Sequence, residues 1–440
     1  MFQPRIAQLK NGLKVIRVPM RAMGSVSVLA VVNVGSRYES PKQQGIAHLI
    51  EHLVFKGTEK YPTHLDLSRQ LDKIGADANA FTSKEYTGFY AATTTEHLAV
   101  SLDVISQLLF FPRLDSQDLV REKQVVAQEI SLRYDDPSQY INNVFERLVY
   151  SNTGLAHDIS GSKQTLNQIG VKEIKQFMEQ WYQQTNLTLV VAGDEGLVSQ
   201  DETLAKIEQA FSPDDLGAKA AASGPVEDKR AKIEPFLTDA PIVKEQLAYE
   251  RRDTAQVHFA LGWPGLRRDH PQRYALSVLA TIIGGNRSSR LFVKIREKKG
   301  LAYYIWSDVD QYHDGGVIGA QGALDTDYAQ EGLKETINQF RLIAAKEEPI
   351  AAAELEAAQD YVIGRMMLGL ESSQSVARYY ALKDILLNAV EDPEEVVQEV
   401  NAVTVEQLNQ LAEELFVPDK LKLAVIGPVD DEQMLRSLLD

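Results

Sequence analysis

The run Val171-Lys172-Glu173-Ile174-Lys175-Gln176-Phe177 is followed a little further on by Leu187-Thr188-Leu189-Val190-Val191-Ala192-Gly193. The first has apolar residues at the 3.6-residue period of a helix, and the second is a short apolar run ending at glycine, as a buried strand does. The same pair returns near the end of the chain, at one constant offset and without a gap, as Val405-Glu406-Gln407-Leu408-Asn409-Gln410-Leu411 and Leu421-Lys422-Leu423-Ala424-Val425-Ile426-Gly427. A repeat offset by half the chain is a duplicated domain. Between the copies, Ser212 to Pro225 is small, polar and rich in alanine, and the charged run Val226-Glu227-Asp228-Lys229-Arg230 follows. That composition reads as a linker. The expected organisation is a domain over residues 1–215, a linker over 216–235 and a homologous domain over 236–440. Each half mixes short strands with long helices, such as Leu98 to Phe110, Gln117 to Leu132 and Ala351 to Leu368. The fold class is therefore α+β, with helices covering a sheet.

Length and composition agree. A chain of 440 residues, 44% of them apolar, exceeds one ordinary core and suffices for two domains of about 200 residues each. The formal net charge of -16 argues against nucleic acid or an anionic membrane as partner, because both are bound through clustered Lys and Arg. It suits basic peptides better. Cysteine is absent, so disulfides and thiolate metal ligands are excluded, and a metal site has only His and carboxylates to draw on. The opening residues contain no apolar segment of signal-peptide length, and no later run approaches a membrane span. A soluble, cytoplasmic protein is expected.

Within the first half, Gly45-Ile46-Ala47-His48-Leu49-Ile50-Glu51-His52-Leu53-Val54-Phe55 reads as an apolar helix that is polar at three places only. His48 and His52 are four apart and stack on one stripe, with Glu51 beside them. Apolar residues on nearly every side imply burial, and buried imidazoles need partners or a metal. Zinc in a hydrolytic site takes three protein ligands and a water, whose pKa it lowers to about 7. A neighbouring carboxylate can then take the proton. A shift of about 230 residues, slightly shorter than that of the repeat above, sets Val278-Leu279-Ala280-Thr281-Ile282 opposite this helix, so the second copy dispenses with His and Glu. Packing of the helix does not require them. A third ligand should come from another helix, and Gln117 to Leu132 offers Glu122 and Glu129, nearly two turns apart on one face. Glu129 lies in a mainly apolar context, and its counterpart in the second copy, at an offset of 236, is Arg365.

With these residues the chain resembles the M16 zinc peptidases, which include insulin-degrading enzyme and the mitochondrial processing peptidase, over both halves. The family pattern is HxxEH, an interval of fixed length, then Glu; here residues 53–128 separate His52 from Glu129, which is the interval the family has. The resemblance implies that His48, His52 and Glu129 hold one zinc ion per chain, that Glu51 is the general base, and that Glu122 supports the site from behind. It also implies that Arg296 and Tyr303, in Arg296-Glu297-Lys298-Lys299-Gly300-Leu301-Ala302-Tyr303, complete the active site. A phenol or guanidinium aimed at the scissile carbonyl would stabilise its developing charge. In Gly75 to Ser83 the family has an edge strand for substrate, which assigns Asn79 and Ala80 to the peptide backbone and Phe81 to a pocket. Each domain would be a mainly antiparallel sheet covered by helices.

The expected activity is zinc-dependent endopeptidase cleavage of extended peptides or unfolded segments in a closed chamber, completed by a homodimer because the chain has two domains where larger relatives have four. The alternative is a non-catalytic structural or regulatory subunit of a larger complex. His64, His97, His157, His258, His270 and His313 lie in no ligand spacing and read as structural or exposed. Trp181, Trp263 and Trp306 read as core or domain contacts.

Overall fold

The computed structural model describes residues 1–212 and 245–439, and the linker expected at 216–235 lies outside them. Among the described residues no helix is long and apolar enough to cross a membrane. The chain divides into two compact units.

The first unit comprises Met1–Ser131, the described part of His157–Ile233, and Leu368–Asp392. Its sheet contains β1 (Arg5–Gln8), β2 (Lys14–Met20), β3 (Ser25–Val32), β4 (Asp77–Thr82), β5 (Thr87–Thr94) and β6 (Leu187–Asp194) in the order β1-β2-β6-β3-β5-β4. Only β2 and β6 run parallel among these neighbours. Strand β3 is buried at every position after Ser25, as its unbroken apolar run requires of a central strand covered on both faces. Val26, Val28, Ala30 and Val32 face a core shared with α1 (Ile46–Val54) and α3 (Leu98–Phe110). Between these helices, α2 (His64–Asp72) begins at a Thr63 capping box and leads the chain into β4. α4 (Ser116–Asp135) follows α3. The opposite face of β3 and β6 is covered by the helix Ser373–Leu387. There Ser373 and Ser27 share a hydrogen bond of 2.8 Å, and Asp384 accepts one from Thr188 at 2.7 Å and pairs with Lys14.

The second unit comprises Leu132–Ala156, the described part of Glu234–Met367, and the described part of Pro393–Asp440. Strands β7 (Leu247–Arg251), β8 (Gln256–Gly265), β9 (Ala302–Gln311), β10 (Gly316–Asp325) and β11 (Lys422–Gly427) are ordered β7-β11-β8-β10-β9, with β7 and β11 parallel. This repeats the order β2-β6-β3-β5-β4, so the duplication read from two segments extends to the whole sheet. The back of this sheet is covered by α5 (Pro137–Val149), whose Ile141, Val144 and Phe145 pack with Ala260, Ala424 and Ile426. The units therefore do not follow the chain continuously: each sheet takes one covering helix from the other half of the sequence.

Candidate metal centre

The helix that carries His48, Glu51 and His52 is held at its start by a buried carboxylate. Gly45 caps α1 with φ 93°, and Glu39 accepts hydrogen bonds from Gly45 N at 2.7 Å and Ala47 N at 2.9 Å. Burial pushes the Glu39 carboxyl up to about 8, against the pull of these two amides and of Lys84, with Asp158 adding to the rise. A Cβ on Gly45 would stand 2.6 Å from the Ser160 carbonyl oxygen, and its left-handed φ adds strain. Gly45→Ala should accordingly cost about 1–3 kcal/mol of stability. Gly364→Ala, in the helix Ala352–Leu368 with nothing within 4 Å of the added carbon, should instead gain about 0.4–1 kcal/mol. Thermal unfolding of the two variants measures the contrast, and a neutral Gly45→Ala would contradict it.

Along α1 the apolar residues Ile46, Ala47, Leu49, Ile50, Leu53 and Val54 are buried, while His48, Glu51 and His52 are partly open on the remaining stripe. Glu129 on α4 faces them: its Oε2 lies 3.8 Å from His48 Nε2 and 3.7 Å from His52 Nε2. One ligand atom from each of the three lies within 4.8 Å of the others, and no other such His, Asp, Glu or Cys set occurs among the described residues. A tetrahedral zinc with bonds of about 2.0–2.1 Å sets its ligand atoms roughly 3.3–3.4 Å apart, so the two Glu129 separations of 3.8 and 3.7 Å need to close by only a few tenths of an ångström. Glu122, also on α4, is 3.2 Å from His52 Nδ1 and is itself held by Lys56 Nζ at 2.8 Å. A neutral His52 donating from Nδ1 presents the Nε2 lone pair to the ion, as metal-binding imidazoles do. The donor set fits zinc.

Glu51 points to the same region from between the two histidines in sequence. Thr82 Oγ1 donates to its Oε2 at 2.6 Å. Burial raises the Glu51 pKa above the usual carboxylate value; the Thr82 hydrogen bond and His52 oppose the rise, and Glu129 adds to it.

The first unit thus brings together His48, Glu51, His52, Glu122 and Glu129. The strand expected to receive substrate is β4, at the edge of the first sheet. Asn79, Ala80 and Phe81 lie on it; Ala80 is buried, and the Phe81 ring rests on the backbone of Gly88 with the Arg378 guanidinium 4.8 Å from its centroid. In the second unit, Arg296 sits in the π-helical segment Phe292–Lys298 with its guanidinium over the Phe292 ring at 4.9 Å. Tyr303 is 72% exposed near the start of β9, the edge strand of the second sheet.

Trp181 and Trp263 are buried, as expected, but Trp306 is not. It lies on β9, stacks on Tyr304 at 5.0 Å and lines a groove of about 720 Å³ with Phe292 and Tyr361. An edge strand leaves alternate side chains without a covering layer, and Trp306 falls on that side. Of the remaining histidines, His258 is buried and hydrogen-bonded to Tyr304 Oη at 3.0 Å. Sequence reasoning missed Thr82, Lys56 and Glu39. Lys56 lies in the turn just past the end of α1, where helical spacing no longer applies, and the other two also act through contacts outside a single helix.

Residues 20–163 match the family profile described as Insulinase (Peptidase family M16), and residues 168–362 match that described as Peptidase M16 inactive domain. The chain belongs to peptidase family M16. It is 33% identical to the uncharacterized zinc protease YmxG of Bacillus subtilis, over 95% of this chain and 97% of that one. It is 30% identical to the uncharacterized zinc protease ML0855 of Mycobacterium leprae, over 97% and 92%. The fold is shared with a protease from Helicobacter pylori, at TM-score 0.86 and 24% identity over 97% of this chain and 100% of that one. A peptidase M16 inactive domain from Pseudomonas fluorescens shares it too, at TM-score 0.85 and 19% identity over 97% and 98%.

Proposed function

We propose that the protein is a zinc-dependent endopeptidase that hydrolyses peptide bonds in extended peptides or unfolded segments. The observation that carries this reading is the convergence of His48, His52 and Glu129, with Glu51 beside them and Glu122 behind. The uncharacterized zinc proteases of Bacillus subtilis and Mycobacterium leprae to which the chain is similar point the same way.

His48, His52 and Glu129 would hold one zinc ion per chain. Bound there, zinc supplies Lewis acidity and a water acidified to a pKa of about 7. Glu51 accepts the proton of the attacking water and returns it to the leaving amine. Glu122 holds His52 in the tautomer that binds metal. The free edge of β4 takes the substrate main chain as an added strand, with Asn79 and Ala80 at the peptide backbone and Phe81 at a side chain. Arg296 and Tyr303 are assigned, by family resemblance, to the carbonyl oxygen on which charge develops. A homodimer would complete a closed chamber around the peptide.

The purified chain, without any partner, should cleave internally quenched peptides, lose that activity on chelation and regain it on addition of zinc. Light scattering during turnover should show a dimer; an active monomer would remove that part of the proposal. A folded, zinc-loaded chain that cleaves no peptide would overturn the enzymatic reading and leave a structural or regulatory subunit.

A further inference from the structure

We propose that Thr82 is a positioning residue for the general base, so that the strand which receives the peptide also aims the group that moves the proton. This rests on the peptidase reading above and deepens it.

Thr82 is the last residue of β4, where it pairs with Thr87 of β5. With β5 on one side, the other edge of β4 is open. Its hydroxyl is 2.6 Å from Glu51 Oε2, a separation typical of a hydroxyl donating to a charged carboxylate. The direction is settled by chemistry, because an ionised carboxylate only accepts. Among the described residues no other group hydrogen-bonds to the Glu51 carboxylate. The terminal torsion of a glutamate is soft, with broad and nearly two-fold preferences, so a half-buried Glu without this bond would sample several carboxylate planes. Thr82 removes that freedom from Oε2 and leaves Oε1 to take the proton.

The hydroxyl itself is aimed by the strand. Threonine is β-branched and stiff at its first side-chain torsion, so the register of β4 on β5 determines where Oγ1 points. A peptide that adds to the open edge restrains the same backbone further. The bond from Thr82 to Glu51 therefore links occupation of the substrate strand to the orientation of the base. A merely structural hydroxyl, one that only satisfies a half-buried carboxylate, would affect stability and zinc retention and leave the turnover step alone.

Thr82→Val keeps the shape and the strand propensity and deletes the hydroxyl; Thr82→Ser keeps the hydroxyl. In the zinc-loaded full chain, Thr82→Val should lower kcat by about 30–100-fold, the scale of a misplaced reacting group. KM should stay within about twofold, as expected when only a transition-state interaction is lost. Thr82→Ser should remain within about threefold of wild type on the same grounds. Added to Glu51→Gln, Thr82→Val should have no further effect, since the two act through one group. A Thr82→Val variant with kcat near wild type overturns the proposal. So does a Thr82→Ser variant as impaired as Thr82→Val, or a loss explained by missing zinc or a lowered Tm. If the wild-type chain cleaves nothing, the peptidase reading fails separately. Crystal structures of the variants then decide the positioning role: a Glu51 carboxylate turned in Thr82→Val and unmoved in Thr82→Ser supports it, and an unmoved carboxylate in both overturns it.

Discussion

Glu51→Gln should leave a folded protein that retains its zinc and loses about 10²–10⁴-fold in peptide cleavage, the range that general acid–base catalysis contributes. The substitution is nearly isosteric, and the Thr82 hydroxyl that donates to Glu51 Oε2 can donate equally well to the amide oxygen of Gln. That choice turns the amide nitrogen toward the place of Oε1, where a donor cannot accept the proton of water. Nothing in the ligand set changes, since His48, His52 and Glu129 are untouched. Metal analysis and a quenched-peptide assay on one preparation read the two outcomes together. Full activity in Glu51→Gln would remove Glu51 from the reaction; equal loss of zinc and activity would make it a support of the metal site instead.

The second large effect falls on the metal. His48→Ala, His52→Ala and Glu129→Gln each remove one of three ligand atoms and should yield zinc-free, inactive protein after dialysis. Glu122→Gln should behave differently. Its carboxylate lies behind His52, 3.2 Å from Nδ1, and loss of such a support weakens metal affinity by about 10–100-fold without abolishing the site. Thermal stability gives a reading that does not depend on turnover. A ligand that binds only the folded chain stabilises it by about 2.7 kcal/mol at a hundredfold excess over Kd, so zinc should raise the Tm of wild type. It should raise that of Glu122→Gln only at higher concentration, and that of the three ligand variants not at all. A Glu129→Gln protein holding stoichiometric zinc would show that the third ligand lies elsewhere.

The ease with which different parts of the site are read from sequence follows the range of the contact. His48 and His52 are legible because their spacing is a property of one helical turn. Glu129 needed the interval to a second helix, which the family pattern supplies. Thr82 was out of reach, since its contact with Glu51 depends on how β4 registers on β5 and packs against α1. The same distinction governs the fold. The repeat of helix and strand showed two copies, and the two sheets keep one strand order. The exchange of α5 and Ser373–Leu387 left no local trace, because an amphipathic pattern tells which face of a helix is covered and not by which sheet. Trp306, read as a core or domain contact, is not in the core for a related reason: an aromatic residue on a strand is buried only where that strand has a covering layer.

That exchange bears on how the chain is made. Strand β6 completes the first sheet at Asp194, yet the helix that covers its back begins only at Ser373, most of a domain's length further along the chain. At translation rates of about 5–20 residues per second, the two leave the ribosome roughly 10–40 seconds apart. The emerging first sheet must wait through that interval with one face uncovered, and it becomes complete only when nearly the whole chain has been synthesised.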